Sequence, residues 1–256
     1  MGVGMKEAWY GVNHRWPLEH VPRAMISYNS VRRLKKPWHL KTPLMMDSGA
    51  YSVILLYGRY PYSVEEYAGA LGAWRPDVAW TMDYPCEPAV LAKGGYTIAS
   101  AQAKTNENTM HLWSLKKGVS TVIQGWAIRD YLLNLDMVKD AGLLTERLGI
   151  GTLCRRGQSA EIARIVTAIH KNVPGWVKLH GFGVKVHALT PDVRGKLYSA
   201  DSSSWAFPAF RRYRGDLRPV SKDLVGIPVL KAHVAKTEAL LLRPTPMLDA
   251  LAEAAD

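Results

Sequence analysis

Short apolar runs that stop on a carboxylate, an amide or a glycine recur along this chain, and helix-length stretches separate them. Runs that are apolar on both faces are the mark of strands in a parallel sheet covered on both sides. The pattern predicts strands over residues 24–31, 44–47, 77–83, 120–123, 148–153, 176–183 and 196–201, with 225–230 as an eighth. Val64–Trp74 reads as an amphipathic helix with Ser63 as its N-cap. Further helices are predicted over 97–115, 131–141 and 159–172, the last carrying Ile162, Ile165, Val166 and Ile169 on one face, and a terminal surface helix from Pro244. Strands alternating with helices imply parallel βα units, and about eight of them imply a closed barrel. The expected fold is therefore α/β, a single (β/α)8 TIM-type barrel forming one catalytic domain over residues 1–256.

The strand ends carry the chemistry. Leu44-Met45-Met46-Asp47-Ser48-Gly49-Ala50-Tyr51-Ser52 is an apolar run ending in a carboxylate, then a small residue and a glycine. Asp47 stands either at a strand tip over a barrel mouth or as the cap of the next helix. Asp83, Gln124, Gly151 and Asp201 close other predicted strands, so a barrel would gather them with Asp47 at one mouth. Carboxylates held together resist joint ionisation. Two of them flanking an anomeric carbon can break and remake a glycosidic bond with retention, one as nucleophile and one as proton carrier. A third carboxylate and an amide can read a purine edge.

Composition narrows the classes. The 256 residues are 48% hydrophobic and 21% charged, an ordinary globular balance. No apolar stretch has membrane-spanning length, and residues 1–16 lack a basic-then-apolar leader pattern, so a cytoplasmic protein is expected (a host's cytoplasm if phage-encoded). Cys86 and Cys154 form no C-x-x-C and read as reduced thiols, while His180 and His187 have no third partner at zinc spacing. No metal and no cofactor is expected. The net charge of +11 points to a polyanionic partner. Arg32, Arg33, Lys35 and Lys36 form one basic cluster; Arg211, Arg212 and Arg214 form another, interleaved with Tyr213 and near Trp205, Phe207 and Phe210.

Six segments in order resemble the tRNA-guanine transglycosylases, barrel enzymes that exchange a guanine for a 7-deazaguanine without cutting the backbone. Asp47-Ser48-Gly49-Ala50-Tyr51 is similar to that family's Asp-Ser-Gly-Gly-Phe segment, and the resemblance makes Asp47 the proton carrier, with Ser48, Gly49 and Tyr51 beside the substrate. Thr81-Met82-Asp83-Tyr84-Pro85-Cys86-Glu87-Pro88 resembles the segment whose Asp binds the guanine edge, and Ile123-Gln124-Gly125 resembles the Gln-Gly turn that also touches the base. Gly149-Ile150-Gly151-Thr152-Leu153 is similar to the Val-Gly-Gly-Leu loop, which implies base contacts from the backbone of Gly151, Thr152 and Leu153. Leu179-His180-Gly181-Phe182-Gly183 falls where the family has Leu-Met-Gly-Val-Gly, and Ser199-Ala200-Asp201-Ser202 where it has its nucleophile, Asp201 here. Tyr51 and Tyr84 are candidates for stacking on the base, with ordinary packing as the alternative.

The departures are as informative. No cysteine follows Cys154, so the family's zinc site is missing, and 256 residues leave no room for an added RNA-binding domain. These features resemble the DNA-modifying DpdA-type branch, which places 7-cyano-7-deazaguanine (preQ0) or a relative into DNA. Arg155 and Arg156 stand where bacterial-type tRNA enzymes carry a glutamate for an aminomethyl group, which favours an uncharged nitrile and adds two candidate nucleic-acid contacts. The resemblance implies DNA and a free 7-deazaguanine base as substrates. A tRNA exchanger, a base-releasing glycosylase or nucleosidase, and a non-catalytic nucleic-acid-binding barrel remain alternatives at this point. Oligomeric state is open.

Overall fold

The computed structural model describes residues 4–38, 41–205 and 222–243. It contains an eight-stranded, wholly parallel sheet: β1 (Glu7–Gly11), β2 (Ala24–Ser27), β3 (Leu44–Asp47), β4 (Val78–Ala79), β5 (Thr121–Ile123), β6 (Arg147–Ile150), β7 (Lys178–Gly181) and β8 (Ser199–Ser202). The order across the sheet is β4-β3-β2-β1-β8-β7-β6-β5. The two outermost strands also approach each other: Trp80 and Ser120 form a parallel bridge, with the Ser120 N–H donating to the Ala79 carbonyl at 2.7 Å.

Nine helices in the described residues link and cover the strands: α1 (Tyr28–Val31), α2 (Ala50–Tyr57), α3 (Val64–Trp74), α4 (Pro88–Gly94), α5 (Ile98–Ser114), α6 (Ile128–Asp140), α7 (Ser159–Asn172), α8 (Pro191–Arg194) and α9 (Lys222–Leu241). Local chemistry sets several boundaries. Ser63 and Glu66 form a capping box at α3, and Thr97 pairs reciprocally with Ser100 at α5. On α7, the buried stripe is Ile162, Ile165, Val166 and Ile169.

Alternation along the strands separates two cores. Trp9, Met25, Met45, Val78, Trp80 and Val122 pack together, with Phe182 against them, on the inner face of the sheet. Their chain neighbours Tyr10, Ile26, Met46 and Ile123 belong to the larger core between sheet and helices. With a side-chain period of two, Asp47 follows Met45 onto the inner face, and Gln124 follows Val122.

Three strand expectations are corrected, and one strand was not expected. Residues 225–230 lie in α9, not in a strand. Their short apolar run could not by itself distinguish a buried strand from part of a helix. α9 packs on the N-terminal strand, where Tyr10 Oη donates to Glu238 Oε1 at 2.9 Å and Arg23 pairs with the same carboxylate at 2.9 Å. The missing strand is β1, Glu-Ala-Trp-Tyr-Gly, whose bulky aromatics face opposite sides and hide the usual aliphatic signature. Residues 24–31 divide into β2 and α1, and 77–83 contain only the two-residue β4. No helix of the described residues is long and apolar enough to cross a membrane.

Candidate active site

At the C-terminal ends of the strands lies a cavity of about 270 Å³ whose lining includes Asp47, Asp83, Glu87, Gln124, Gly151 and Asp201. Four carboxyl groups and no lysine, arginine or histidine side chain line it among the described residues. Asp47, Asp83, Gln124, Gly151 and Asp201 thus come together from strand ends up to 154 positions apart, 47 to 201 in the numbering.

The turn after β3 exposes Asp47 to the cavity. Gly49 precedes α2 with φ of 80°, and a Cβ there would sit 2.9 Å from the Asn29 Cβ. Gly49, not Asp47, is the N-cap of α2, so the capping alternative does not describe Asp47. Asp47 Oδ1 is buried without a hydrogen-bond partner. Burial pushes the Asp47 carboxyl up to about 7, the Asp201 charge adds to the rise, and Ser27 and the Gly49 N–H oppose it.

Asp83 lies beyond β4, in a loop held by side chains from behind. Tyr60 Oη donates to the Asp83 carbonyl at 2.6 Å, Asn108 Nδ2 to the Met82 carbonyl at 2.7 Å, and the Tyr84 N–H to Thr105 Oγ1 at 2.9 Å. Burial raises the Asp83 carboxyl to about 7, with the charges of Asp47 and Glu87 adding and the Gln124 hydrogen bond opposing. Gln124 is wholly buried, its N–H bonded to Asn134 Oδ1 at 2.8 Å and its carbonyl to Gln102 Nε2 at 2.7 Å. Its Nε2 donates to Asp83 Oδ2 at 2.5 Å. Gly151 permits that placement, since a Cβ there would fall 2.2 Å from Gln124 Nε2.

Asp201 is the penultimate residue of β8 and is fixed through one oxygen. The Gly183 N–H donates to Oδ1 at 2.8 Å, and His180 Nε2 lies 3.3 Å from the same atom. His180 is fully buried beneath the site rather than lining it, with Nδ1 2.9 Å from Ser199 Oγ and its ring 4.9 Å from that of Trp80. No hydrogen bond among the described residues engages Asp201 Oδ2, which leaves it for a ligand.

Other expected site residues divide. Tyr51 lines the cavity, with the Arg155 guanidinium 4.9 Å from its ring centroid. Ser48 is buried behind the site, 2.8 Å from Tyr60 Oη, and its carbonyl accepts from Tyr62 Oη. Leu153 is buried outside the lining, and Tyr84 packs between Tyr60 and Tyr96 at 5.3 and 5.1 Å. Thr152 lines the cavity with φ of 56°, a strained backbone for a β-branched residue that costs about 1–3 kcal/mol. Glu87 and Cys154 were not singled out from sequence as site residues. Cys154 Sγ donates to Glu87 Oε1 at 3.5 Å, and burial raises both the Glu87 carboxyl and, to about 12, the Cys154 thiol.

A family model described as DeoxyPurine in DNA protein A (DpdA) matches residues 8–217. The chain belongs to the DpdA family. Membership implies DNA as substrate and a transglycosylase-type enzyme that modifies it with a 7-deazaguanine. No curated protein matches the chain.

Against a DNA substrate, the basic residues of the chain sort by exposure. Arg33, Lys35 and Lys36 are exposed and Arg32 half-buried in the segment after α1, whose Asn29 and Ser30 line the cavity. Arg155 is exposed near the mouth. Arg156 is corrected to an internal role: it is buried, stacks on Trp126 at 4.5 Å, pairs with Glu161, and donates to the carbonyls of Thr152 at 3.0 Å and Trp126 at 2.6 Å. Trp205 is likewise buried, 5.7 Å from Trp16, with Nε1 donating to the Gly11 carbonyl. Arg211, Arg212, Arg214 and the aromatics Phe207, Phe210 and Tyr213 lie outside the described residues, as does the tail from Pro244.

Proposed function

We propose that this chain exchanges guanine in DNA for a free 7-deazaguanine base through a covalent deoxyribosyl–Asp201 ester. The observation that carries the reading is a cavity lined, among the described residues, by four carboxyl groups and no cation, inside a chain of net charge +11. Cations outside attract the phosphate backbone, while carboxylates inside favour the positive charge that grows on the sugar as a glycosidic bond breaks. A cavity of about 270 Å³ suits one extruded nucleotide rather than a stacked pair.

The placements support the following steps. Asp83 accepts from the guanine N1–H and amino group, and Gln124 donates to O6. Asp201 Oδ2 attacks C1′ as the C1′–N9 bond breaks through an oxocarbenium-like transition state. The bonding pair leaves with the base, and Asp47, whose raised pKa keeps it substantially protonated near neutrality, gives it a proton. The resulting Asp47 carboxylate then takes the N9 proton of the incoming base. N9 attacks C1′, the ester bond breaks, and Asp201 is returned as a carboxylate. Two inversions give net retention.

The uncharged nitrile preQ0 is the first choice of incoming base. The Arg155 guanidinium lies 4.9 Å from the ring centroid of Tyr51, which lines the cavity, a positive neighbour that favours an uncharged 7-substituent over a cationic one. The same reading takes the sheet as a closed (β/α)8 barrel in one catalytic domain, supported by the Trp80–Ser120 bridge. Mass spectrometry of nucleosides from DNA incubated with the protein and candidate bases tests the function. A 7-deazaguanine deoxynucleoside that forms only with protein and base is the expected result. Base release without incorporation would indicate a glycosylase, and incorporation confined to transfer RNA would move the substrate.

A further inference from the structure

The hydroxyl of Thr152 stands at the centre of a polar chain that the exchange chemistry leaves unused. Its left-handed backbone, φ 56°, is held from several sides. Tyr131 Oη donates to the Gly151 carbonyl at 2.8 Å, Arg156 Nε to the Thr152 carbonyl at 3.0 Å, and the Cys86 N–H to Thr152 Oγ1 at 2.9 Å. So constrained, Oγ1 lies 2.6 Å from Gln124 Oε1 and 3.3 Å from Glu87 Oε2. An amide oxygen only accepts, so the single hydroxyl proton serves the nearer contact, at Gln124. With Oε1 engaged there, the NH2 end of the same amide faces Asp83 Oδ2 at 2.5 Å.

We infer that Thr152 is a positioning residue that fixes which way the Gln124 amide faces, and through it makes the site read a purine with oxygen rather than an amino group at position 6. The inference rests on the proposed purine substrate and adds a determinant of its selection. As held, Gln124 offers an N–H to O6, beside the Asp83 acceptor for N1–H. Turned over, the amide would present an acceptor there and suit the 6-amino group of 2,6-diaminopurine, whose N1 carries no hydrogen and pairs only with a protonated Asp83.

Binding of free guanine and of 2,6-diaminopurine, measured by calorimetry on Thr152→Ser, Thr152→Val and Thr152→Gly, tests this, alongside exchange of labelled guanine into DNA. The serine variant keeps the wild-type ratio of the two affinities. Valine and glycine lower it by about 5- to 10-fold, the loss of one neutral hydrogen bond. Glycine does so while losing less melting temperature than valine, because its ease in the left-handed backbone offsets part of the cost of orphaning the Cys86 N–H, which separates the positioning role from a folding defect. An unchanged ratio in both hydroxyl-free variants, a ratio lost in the serine variant, or wild-type protein that binds neither base overturns the inference. Selective guanine binding without any exchange would overturn the transglycosylase reading and leave the Thr152 role standing.

Discussion

The two ends of the same sheet treat carboxylates in opposite ways. At the N-terminal end, Glu7 of β1 meets Arg147 of β6 through two hydrogen bonds of 2.9 and 3.0 Å and accepts from Trp9 Nε1 at 3.0 Å. Burial raises the Glu7 carboxyl, but the Arg147 and Trp9 bonds outweigh it and hold it below the usual range. At the C-terminal end, Asp47 and Asp83 are pushed up, and no cation among the described residues lines the cavity beside them. One end uses its carboxylate to tie strands together. The other keeps acids in an environment that disfavours their charge, which suits proton transfer and costs stability.

That contrast can be broken deliberately. The largest effect is expected from Asp201→Asn, which should reduce exchange by at least about 10⁴-fold, as for loss of a covalent nucleophile, with DNA binding retained. Steady-state exchange and a gel-shift titration measure the two. Next is Asp47→Asn, with a loss of about 10²–10³-fold in the exchange rate. The wild-type rate of guanine departure should fall as pH rises through about 7, where Asp47 loses its proton, and the residual rate of the variant should lack that limb.

Stability should move the other way at the same position. The folded pKa of Asp47 lies above its unfolded value, so its favourable contribution is complete below about pH 4 and is lost as pH rises through about 7. Asp47→Asn should therefore be more stable than wild type at pH 8, by about 2–4 kcal/mol, with the gap closing toward pH 4. Urea melts across that range measure it. Glu7→Gln should behave oppositely. It should destabilise by about 1–3 kcal/mol at pH 7, the depressed pKa meaning that the difference shrinks as pH falls below the ordinary glutamate range, while the exchange rate per folded molecule is kept. The smallest effect is at the exposed basic segment: Lys35→Ala should weaken DNA binding modestly and reduce the salt slope by about one unit.

The site was more legible in the sequence than the sheet that carries it. Alternation carries Met45 to Asp47 and Val122 to Gln124, so the inward side chains at those strand ends could be read from a period of two. The ordered motifs supplied Asp83 and Asp201. The strand β1 was hidden because Trp9 and Tyr10 cover both faces in place of an aliphatic run, and α9 was hidden because its apolar stretch is shorter than a helix needs to declare itself. Glu87 and the Thr152 hydroxyl could not be read at all. Their roles exist only through contacts between positions 87 and 152, 65 residues apart, and through a backbone angle that no residue preference announces. Arg156 looked like its neighbour Arg155 in sequence; burial against Trp126 and Glu161 separates them.

The most direct measurement is peptide mapping of the protein after incubation with guanine-containing DNA and rapid denaturation, with no incoming base supplied. A deoxyribose-linked adduct on the peptide containing Asp201, absent from Asp201→Asn, is the result expected. An adduct on another residue, or undiminished guanine exchange by Asp201→Asn, would contradict the account.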